Sequence, residues 1–429
     1  MLRMTKEKLD VIIFGATGFT GKYTVFEAAS VLGNLRWGIA GRNQAKLQSI
    51  LEEMGAKAKQ NLMDTPIVIA DVGNEASLLA MAQRCRVLVN CCGPYRFFGE
   101  PVVRACIEAG THHVDVTGET QFMESMQLKY HAKAQERNTY IVSGCGFDSI
   151  PSEIGILYAE KNFDGTINSV ETYLKTVRKR SPKSAGIHYG TWESLIHAIG
   201  HLHELKDIRP KLFSEKLPKF QPKAQRRPPI FKSEVVDRVC LPFPGPDSAV
   251  AARTQRFRYQ FERKRPAQVN SFVAFGSWIE AIIVGFMAIV YGIMAQFSFT
   301  RKLLLDYPRL FTFGFVSHEG PSEIVMNNTH FSFTIKALGW PKSSNLAEPT
   351  DQYKDAPNKS VVVKVSGTNP GYGATCVALL STAVTILKES DKMPSTGGVL
   401  TPGAAFAKTS IIEELQKHEH GLKFEVLNK

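Results

Sequence analysis

The 429-residue sequence contains no Cys-x-x-Cys pair and no Cys/His spacing of the kind that holds zinc, so no metal centre is expected. Its seven cysteines are odd in number and scattered through a long chain. That fits free thiols in a reducing compartment rather than a disulfide scaffold. The chain also lacks a long apolar run near its start: the first, 11–14, is far too short for the core of a secretory signal. Repeats and low-complexity tracts are absent, which argues against solenoids, propellers and disordered arrays. Acidic residues are scarce relative to basic ones, 40 against 52, leaving a net charge of +12. Between 178 and 265 stand 20 Lys and Arg against 8 Asp and Glu, so one stretch carries the whole excess. This stretch lacks cations interleaved with stacking aromatics, and no nucleic-acid partner is expected. An anionic membrane surface or an acidic ligand suits it better, a solvated linker being the plain alternative.

What is present is enough apolar sequence, 44% hydrophobic with 21% charged, for two domains folded in water. In 1–150, short β-branched runs at 11–14, 37–40, 66–70, 87–90, 113–116 and 139–143 alternate with helical stretches. Six strands with five helical crossovers predict an α/β fold, an N-terminal doubly wound parallel sheet of the Rossmann kind. A second α+β domain is expected over 151–395, with strands at 170–176, 330–336 and 360–365 and a helix at 374–388. Within it, the proline- and lysine-rich 206–246 reads as an irregular surface loop. The tail, 396–429, is expected to return to the first domain.

The second domain carries an apolar segment, 266–300, whose only charged residue is Glu280. The run 281–299 has no charge at all and is long enough to cross a bilayer core. Basic residues stand on both sides, Arg263-Lys264-Arg265 before and Arg301-Lys302 after, which disfavours a simple span. Two readings remain open: a hairpin or in-plane insertion at a membrane, or a buried helix at the interface of a homodimer.

Directly after the first strand stands Gly15-Ala16-Thr17-Gly18-Phe19-Thr20-Gly21, a GxxGxxG turn opening a helix. Its glycines permit a tight turn and close backbone approach to a diphosphate, while unpaired N–H groups at the helix start point at the anion. The second strand ends in Ala40-Gly41-Arg42, where an NAD-selective site places an acidic residue for the ribose 2′-hydroxyl. Arg42, with Lys46 one helical turn on, suits a 2′-phosphate instead, so NADP(H) is favoured. Asp71, at the end of the third strand, could accept from the adenine amino group or cap the next helix. Cys92, Gly93 and Pro94, ending the fourth strand, would lie beside the nicotinamide ribose. Tyr95, Asp115, Cys145 and Asp148 gather at strand ends around the same crevice and are the candidates for orienting substrate or moving a proton. No Tyr-x-x-x-Lys pair exists, so the acid of short-chain dehydrogenases is missing.

Taken together, Phe14 to Gly21, Ala40-Gly41-Arg42, Asn90-Cys91-Cys92-Gly93-Pro94-Tyr95, Gly99-Glu100-Pro101, Asp115 to Glu119, Gly146 to Pro151 and Leu400 to Phe406 resemble the saccharopine dehydrogenase-like family along the length of the chain. The resemblance implies a Rossmann domain, a second α+β domain inserted before the chain returns to the first, and oxidoreductase activity. The wider family includes trans-acting enoyl reductases of glycolipid synthesis and animal members on lipid droplets and membranes. It therefore implies a small-molecule or lipid-linked carbonyl or enoyl substrate, met on a cytosol-facing lipid droplet or intracellular membrane. A saccharopine-like amino-acid oxidoreductase is the alternative, and an NADP(H)-binding scaffold or redox sensor on lipid surfaces is the rival of another class.

Overall fold

The computed structural model describes residues 8–147, 149–179, 184–218, 220–342, 352–353 and 355–428. Asp148 therefore lies outside the described residues. The first 150 residues run β1 (Leu9–Phe14), α1 (Phe19–Val31), β2 (Trp37–Gly41), α2 (Gln44–Ala58), β3 (Ile67–Ile69), α3 (Glu75–Ala82), β4 (Cys85–Asn90), α4 (Tyr95–Ala109), β5 (His112–Asp115), α5 (Thr120–Glu136) and β6 (Tyr140–Val142). Runs such as Val11-Ile12-Ile13 and Val87-Leu88-Val89 are wholly buried, as strands covered on both faces must be. The helices α2 and α3 start where Asn43 and Asn74 accept the N–H of Lys46 and Ser77.

Next come α6 (Ser149–Phe163), β7 (Gly165–Arg178), β8 (Ile187–His188), α7 (Tyr189–Gly200), α8 (Leu205–Leu212), β9 (Phe231–Ser233), β10 (Arg238–Pro242), α9 (Asp247–Glu262) and β11 (Gln268–Phe275). They are followed by α10 (Trp278–Gln296), α11 (Ser298–Asp306), α12 (Pro308–Phe311), β12 (Val316–Ser317), α13 (Glu323–Asn327), β13 (Thr329–Pro341) and β14 (Lys359–Thr368). The chain closes with α14 (Thr375–Glu389), β15 (Gly398–Leu400), α15 (Pro402–Phe406), α16 (Ile411–Gln416) and β16 (Lys423–Asn428).

The first sheet has seven parallel strands in the order β15-β6-β5-β4-β1-β2-β3. The strand order reverses between β1 and β4, and the carboxyl ends of those two strands frame the crevice where such sheets bind ligands. The second sheet, β16-β14-β13-β7-β11-β10-β9, is antiparallel except for the β7–β11 pair. The doubly wound sheet and the second mixed domain with an apolar helix are thus as the sequence predicts.

Four boundaries differ from expectation. The first sheet gains a seventh strand, β15, and α14 packs on α1, β4 and β5 rather than within the second domain. Residues 375–386 of α14 are buried, so its apolar composition is that of a core helix. The tail does return to the first sheet through β15, as expected, but does not stay there, because β16 pairs with β14 of the second. The proline-rich 206–246 is not all loop: α8, β9 and β10 lie within it, with Pro242 at the end of its strand, where the missing N–H matters least.

The apolar segment 266–300 divides in two. Its first part is β11, paired to β7 and β10 with Phe272 and Ala274 buried. Its second part, α10, lies along the body of the protein on a stripe of small residues. Ala281 and Ala295 are buried, and a Cβ at Gly285 would sit 3.5 Å from Leu241. The other faces carry Ile279, Ile282, Ile283, Phe286, Ile289 and Ile293 outward, Ile279 at 71% and Phe286 at 63% exposure. Phe313, just past α12, is 88% exposed. An apolar face of this extent on a water-soluble surface calls for a partner.

Candidate active site

The turn between β1 and α1 is built for close approach. Gly15 has φ +80°, and a Cβ there would come within 3.0 Å of the Cys91 carbonyl carbon and the Cys92 nitrogen. A Cβ on Gly21 would lie 2.1 Å from the Gly15 oxygen. Gly18 stands at the N-cap of α1 with no side chain capping it, and the first turn holds no acidic residue. The N–H groups that open the helix are thus left for an anion, and the glycine cradle fits a diphosphate.

At the next strand end, Arg42 is exposed, and Asn43 takes over the capping of α2. That leaves the guanidinium and the exposed Lys46 side chain for a ligand. Burial raises the Cys92 thiol pKa, while Arg42 lowers it and Asp71 raises it. Arg42, Asp71 and Cys92 thus share one electrostatic neighbourhood at the ends of β2, β3 and β4. Asp71 accepts the Gly73 N–H at 2.8 Å, and α3 is capped by Asn74.

The β4–α4 turn is held from beneath. Buried Asn90 accepts the Cys92 N–H at 3.0 Å, and its amide lies 3.3 Å from His113 Nε2. Burial lowers the His113 pKa to about 3, keeping the ring neutral. Glu119 reaches across from the β5–α5 loop to accept the N–H groups of Tyr95 and Arg96, at 2.8 and 2.9 Å. A carboxylate thus caps α4, where Pro94 offers no side-chain acceptor.

Tyr95, Asp115 and Cys145 are brought to neighbouring strand ends, but below the crevice floor. The Tyr95 hydroxyl donates to the Asn90 carbonyl at 2.8 Å and accepts the Val116 N–H at 3.4 Å, and burial drives its pKa well up. Asp115, fully buried, accepts from the N–H groups of Thr117 and Gly144 and from the Ser143 hydroxyl. Cys145 is fully buried too, donates to the Val142 carbonyl at 3.4 Å, and has its thiol pKa raised by burial. These three side chains tie strand ends together and present no free polar atom to a substrate.

Burial pushes the Asp115 pKa up from 3.8 to about 7. A carboxyl whose folded pKa exceeds its unfolded value binds its proton more tightly when folded, so stability falls as pH rises between those values. Asp115→Asn is expected to flatten part of that fall while keeping an acceptor for Thr117 and Gly144. Glu153, likewise pushed to about 7 by burial, would retain the rest. Melting temperatures between pH 5 and 8 check this, and parallel curves for variant and parent would remove Asp115 as a source.

The opposite wall of the crevice comes from the second domain, and its residues escaped the sequence reading. Helix α7 sets Ser194 over the turn, its Oγ 3.9 Å from where a Gly93 Cβ would lie, and Ser194 bonds to Glu119. Glu193, part-buried, has its pKa raised by desolvation, an effect that His318 offsets and Glu119 reinforces. Phe19 stacks on His188 at 4.7 Å and meets Tyr372 edge-on at 4.6 Å, closing the second domain over the start of α1. Only Glu119 had a local signal, its place in the Asp115-Val116-Thr117-Gly118-Glu119 motif. The others depend on docking across long sequence separations.

A family model described as the saccharopine dehydrogenase NADP binding domain matches residues 11–142. A human protein named saccharopine dehydrogenase-like oxidoreductase is 37% identical over 426 residues, 97% of each chain. A Caenorhabditis elegans protein named lipid droplet localized protein is 31% identical, over 95% of this chain and 96% of its own. Among solved structures, apo saccharopine dehydrogenase (L-Glu forming) from Saccharomyces cerevisiae superposes with a TM-score of 0.54 at 12% identity. That alignment covers 98% of this chain and 100% of the yeast one, and it speaks for the fold alone. A glycine cradle bare of caps, a cation at the second strand end and full-length kinship agree: the chain belongs to the saccharopine dehydrogenase-like family of NADP(H)-dependent oxidoreductases.

Proposed function

We propose that the protein transfers a hydride between NADP(H) and a lipid-linked carbonyl or enoyl group, at the cytosol-facing surface of a lipid droplet or intracellular membrane. The observation that carries this reading is α10, a 19-residue helix seated on the protein by one stripe with its apolar side outward. Because its length lies against the water-soluble body, it would lie in the plane of a lipid surface rather than cross it. The name of the nematode relative supports the same surface.

NADP(H), when bound, supplies or accepts the hydride. In this reading, the first turn of α1 holds the diphosphate and Arg42 with Lys46 holds the 2′-phosphate. Thr17, Phe19 and Thr20 line the same turn, and Asp71 meets the adenine. The Asn90–Cys92 bond and the Glu119 cap fix Gly93 and Pro94 beside the nicotinamide. Ser194 and Glu193 are the polar groups of α7 set to orient the reacting carbon, burial raising the Glu193 pKa above the ordinary carboxylate value. Tyr95, Asp115 and Cys145 act as positioning residues beneath them.

A saccharopine-like substrate, with several carboxylates, fits less well, because the groups beside this crevice, Glu119 and Glu193, are acidic with pKa values raised by burial and offer a carboxylate no cationic partner. The nearby Arg96 is engaged by Glu204 at 2.9 Å. The scaffold or redox-sensor reading is favoured by one observation, the complete hydrogen bonding of Tyr95, Asp115 and Cys145. NADPH oxidation across long-chain enoyl esters, long-chain ketones and glycolipid precursors, beside L-glutamate with an amino-acid ω-aldehyde, tests all three readings. Turnover of the lipid carbonyls or enoyls alone is expected. Turnover of the amino-acid pair alone would replace this reading with the first alternative, and tight NADPH binding with complete inertness would replace it with the second.

A further inference from the structure

Helix α7 has two opposed working faces. Trp192, Ile196 and Ile199 pack on α10 and α11, with Trp192 Nε1 donating to the Leu304 carbonyl at 2.9 Å. Ser194, His197 and His201, on the other side of the same helix, turn toward the start of α4 and its turn. The His197 ring meets Phe97 edge-on at 4.9 Å. The end of α10 reaches this junction directly: Gln296 Nε2 donates to the Ile199 carbonyl at 3.1 Å, and Gly200 lies against the Ala295 carbonyl. One short turn further, Glu204 pairs with Arg96 at 2.9 Å. Continuous contacts therefore lead from the outward helix to the residues just after Gly93 and Pro94.

Along this path the surface stays apolar. Phe297 and Phe299 are exposed at the end of α10, Leu195 and Leu202 on α7 and just beyond it, and Phe97 and Phe98 at the start of α4. Leu202 and Phe97 are 50% and 51% exposed. Lys206 and Lys302 are exposed at its flanks, where an anionic headgroup layer would meet them. A strip of aromatic and aliphatic side chains joined to a larger apolar face and edged by lysine has the chemistry of a phospholipid contact.

We propose that the lipid-facing surface runs on from α10 across the end of α7 to Phe97 and Phe98, so that the mouth of the nicotinamide crevice opens at the lipid surface. An acyl-borne substrate then reaches Ser194 and Gly93 from the lipid, its chain resting on Leu195, Leu202 and Phe97, without passing through water. The proposal rests on α10 being lipid-facing and adds where the crevice opens relative to it.

The test uses the full chain carrying an environment-sensitive thiol dye at Phe98→Cys, Leu202→Cys or Phe286→Cys, with Lys423→Cys on the outer strand β16 as the distant control. The unsubstituted chain gives the background from Cys91 and Cys92. Phosphatidylcholine-coated triolein droplets are added. Emission from positions 98, 202 and 286 is expected to move to shorter wavelength, while position 423 stays unchanged. A shift at 286 with none at 98 and 202 overturns this inference and leaves α10 as an isolated lipid contact. No shift at any position overturns the lipid-facing reading itself. Hydrogen–deuterium exchange of 95–98 and 195–204, read with and without droplets on the unsubstituted chain, gives the same decision without a substitution. Protection at both stretches supports the strip, and unchanged exchange at both overturns it.

Discussion

Replacing Arg42 by alanine is expected to raise the Kd for NADPH by about 10- to 100-fold while NADH binding changes by less than about threefold. A hydrogen bond to a charged group contributes about 1.5–3 kcal/mol, and each 1.4 kcal/mol is a factor of ten. Arg42 is exposed, so solvent and salt screen its charge and the lower part of that range applies at physiological ionic strength. The effect should therefore grow as salt is lowered, which an uncharged contact would not do. Lys46→Ala is expected to act in the same direction but less, since an ammonium lacks the planar fork of donors that matches phosphate. Calorimetric titration with both dinucleotides at two salt concentrations checks the assignment. Equal losses for NADPH and NADH would move the 2′-phosphate away from this strand end.

The second large effect belongs to α10. The pair Ile282→Asp and Ile289→Asp is expected to release the protein from phosphatidylcholine-coated droplets in a flotation assay. Both side chains face outward, so folding should be untouched, and unchanged thermal unfolding verifies that. Withdrawing two isoleucines from an apolar phase costs at least about 2 kcal/mol, or roughly 30-fold in partition, before the carboxylates are counted. Holding two carboxylates against hydrocarbon adds to the loss. Undiminished flotation would mean that another face meets the lipid. In that case α10 is covered by a second copy of the chain, and sedimentation would show a dimer that the aspartates break.

Much of the first domain was legible because its signals are local. Buried strands of Val and Ile, a glycine turn followed at once by a helix, and Arg42 closing the second strand can each be read within a few residues. The three residues of β15 offer no periodicity, and α14 reads as a helix without revealing which sheet it covers. Strand β11 hid inside an apolar run, because its part-buried Val273 and Phe275 are as apolar as the buried Phe272 and Ala274 and leave no polar alternation to mark a strand. Strands β9 and β10 hid among prolines that mark their ends. The crevice was half visible. Tyr95, Asp115 and Cys145 were found by position at strand ends, but depth is set by what packs above them, and burial leaves each hydroxyl, carboxyl or thiol occupied. The facing wall, with Ser194 and Glu193, comes from a helix about a hundred residues away in sequence, and no local pattern links it to Gly93.

The weaving of the tail bears on how the molecule can come apart. The chain leaves the first sheet after β6, returns with α14 and β15, and departs again to lay β16 beside β14. Neither half is a continuous piece of polypeptide. A fragment ending near residue 150 would bare the edge of β6 and the faces of β4 and β5 that α14 covers. Loss of β16 would reach both halves, because it is anchored in the second sheet a short way after β15 is anchored in the first. The two sheets should therefore melt together, and a nascent chain has no finished dinucleotide-binding half until β15 has been made.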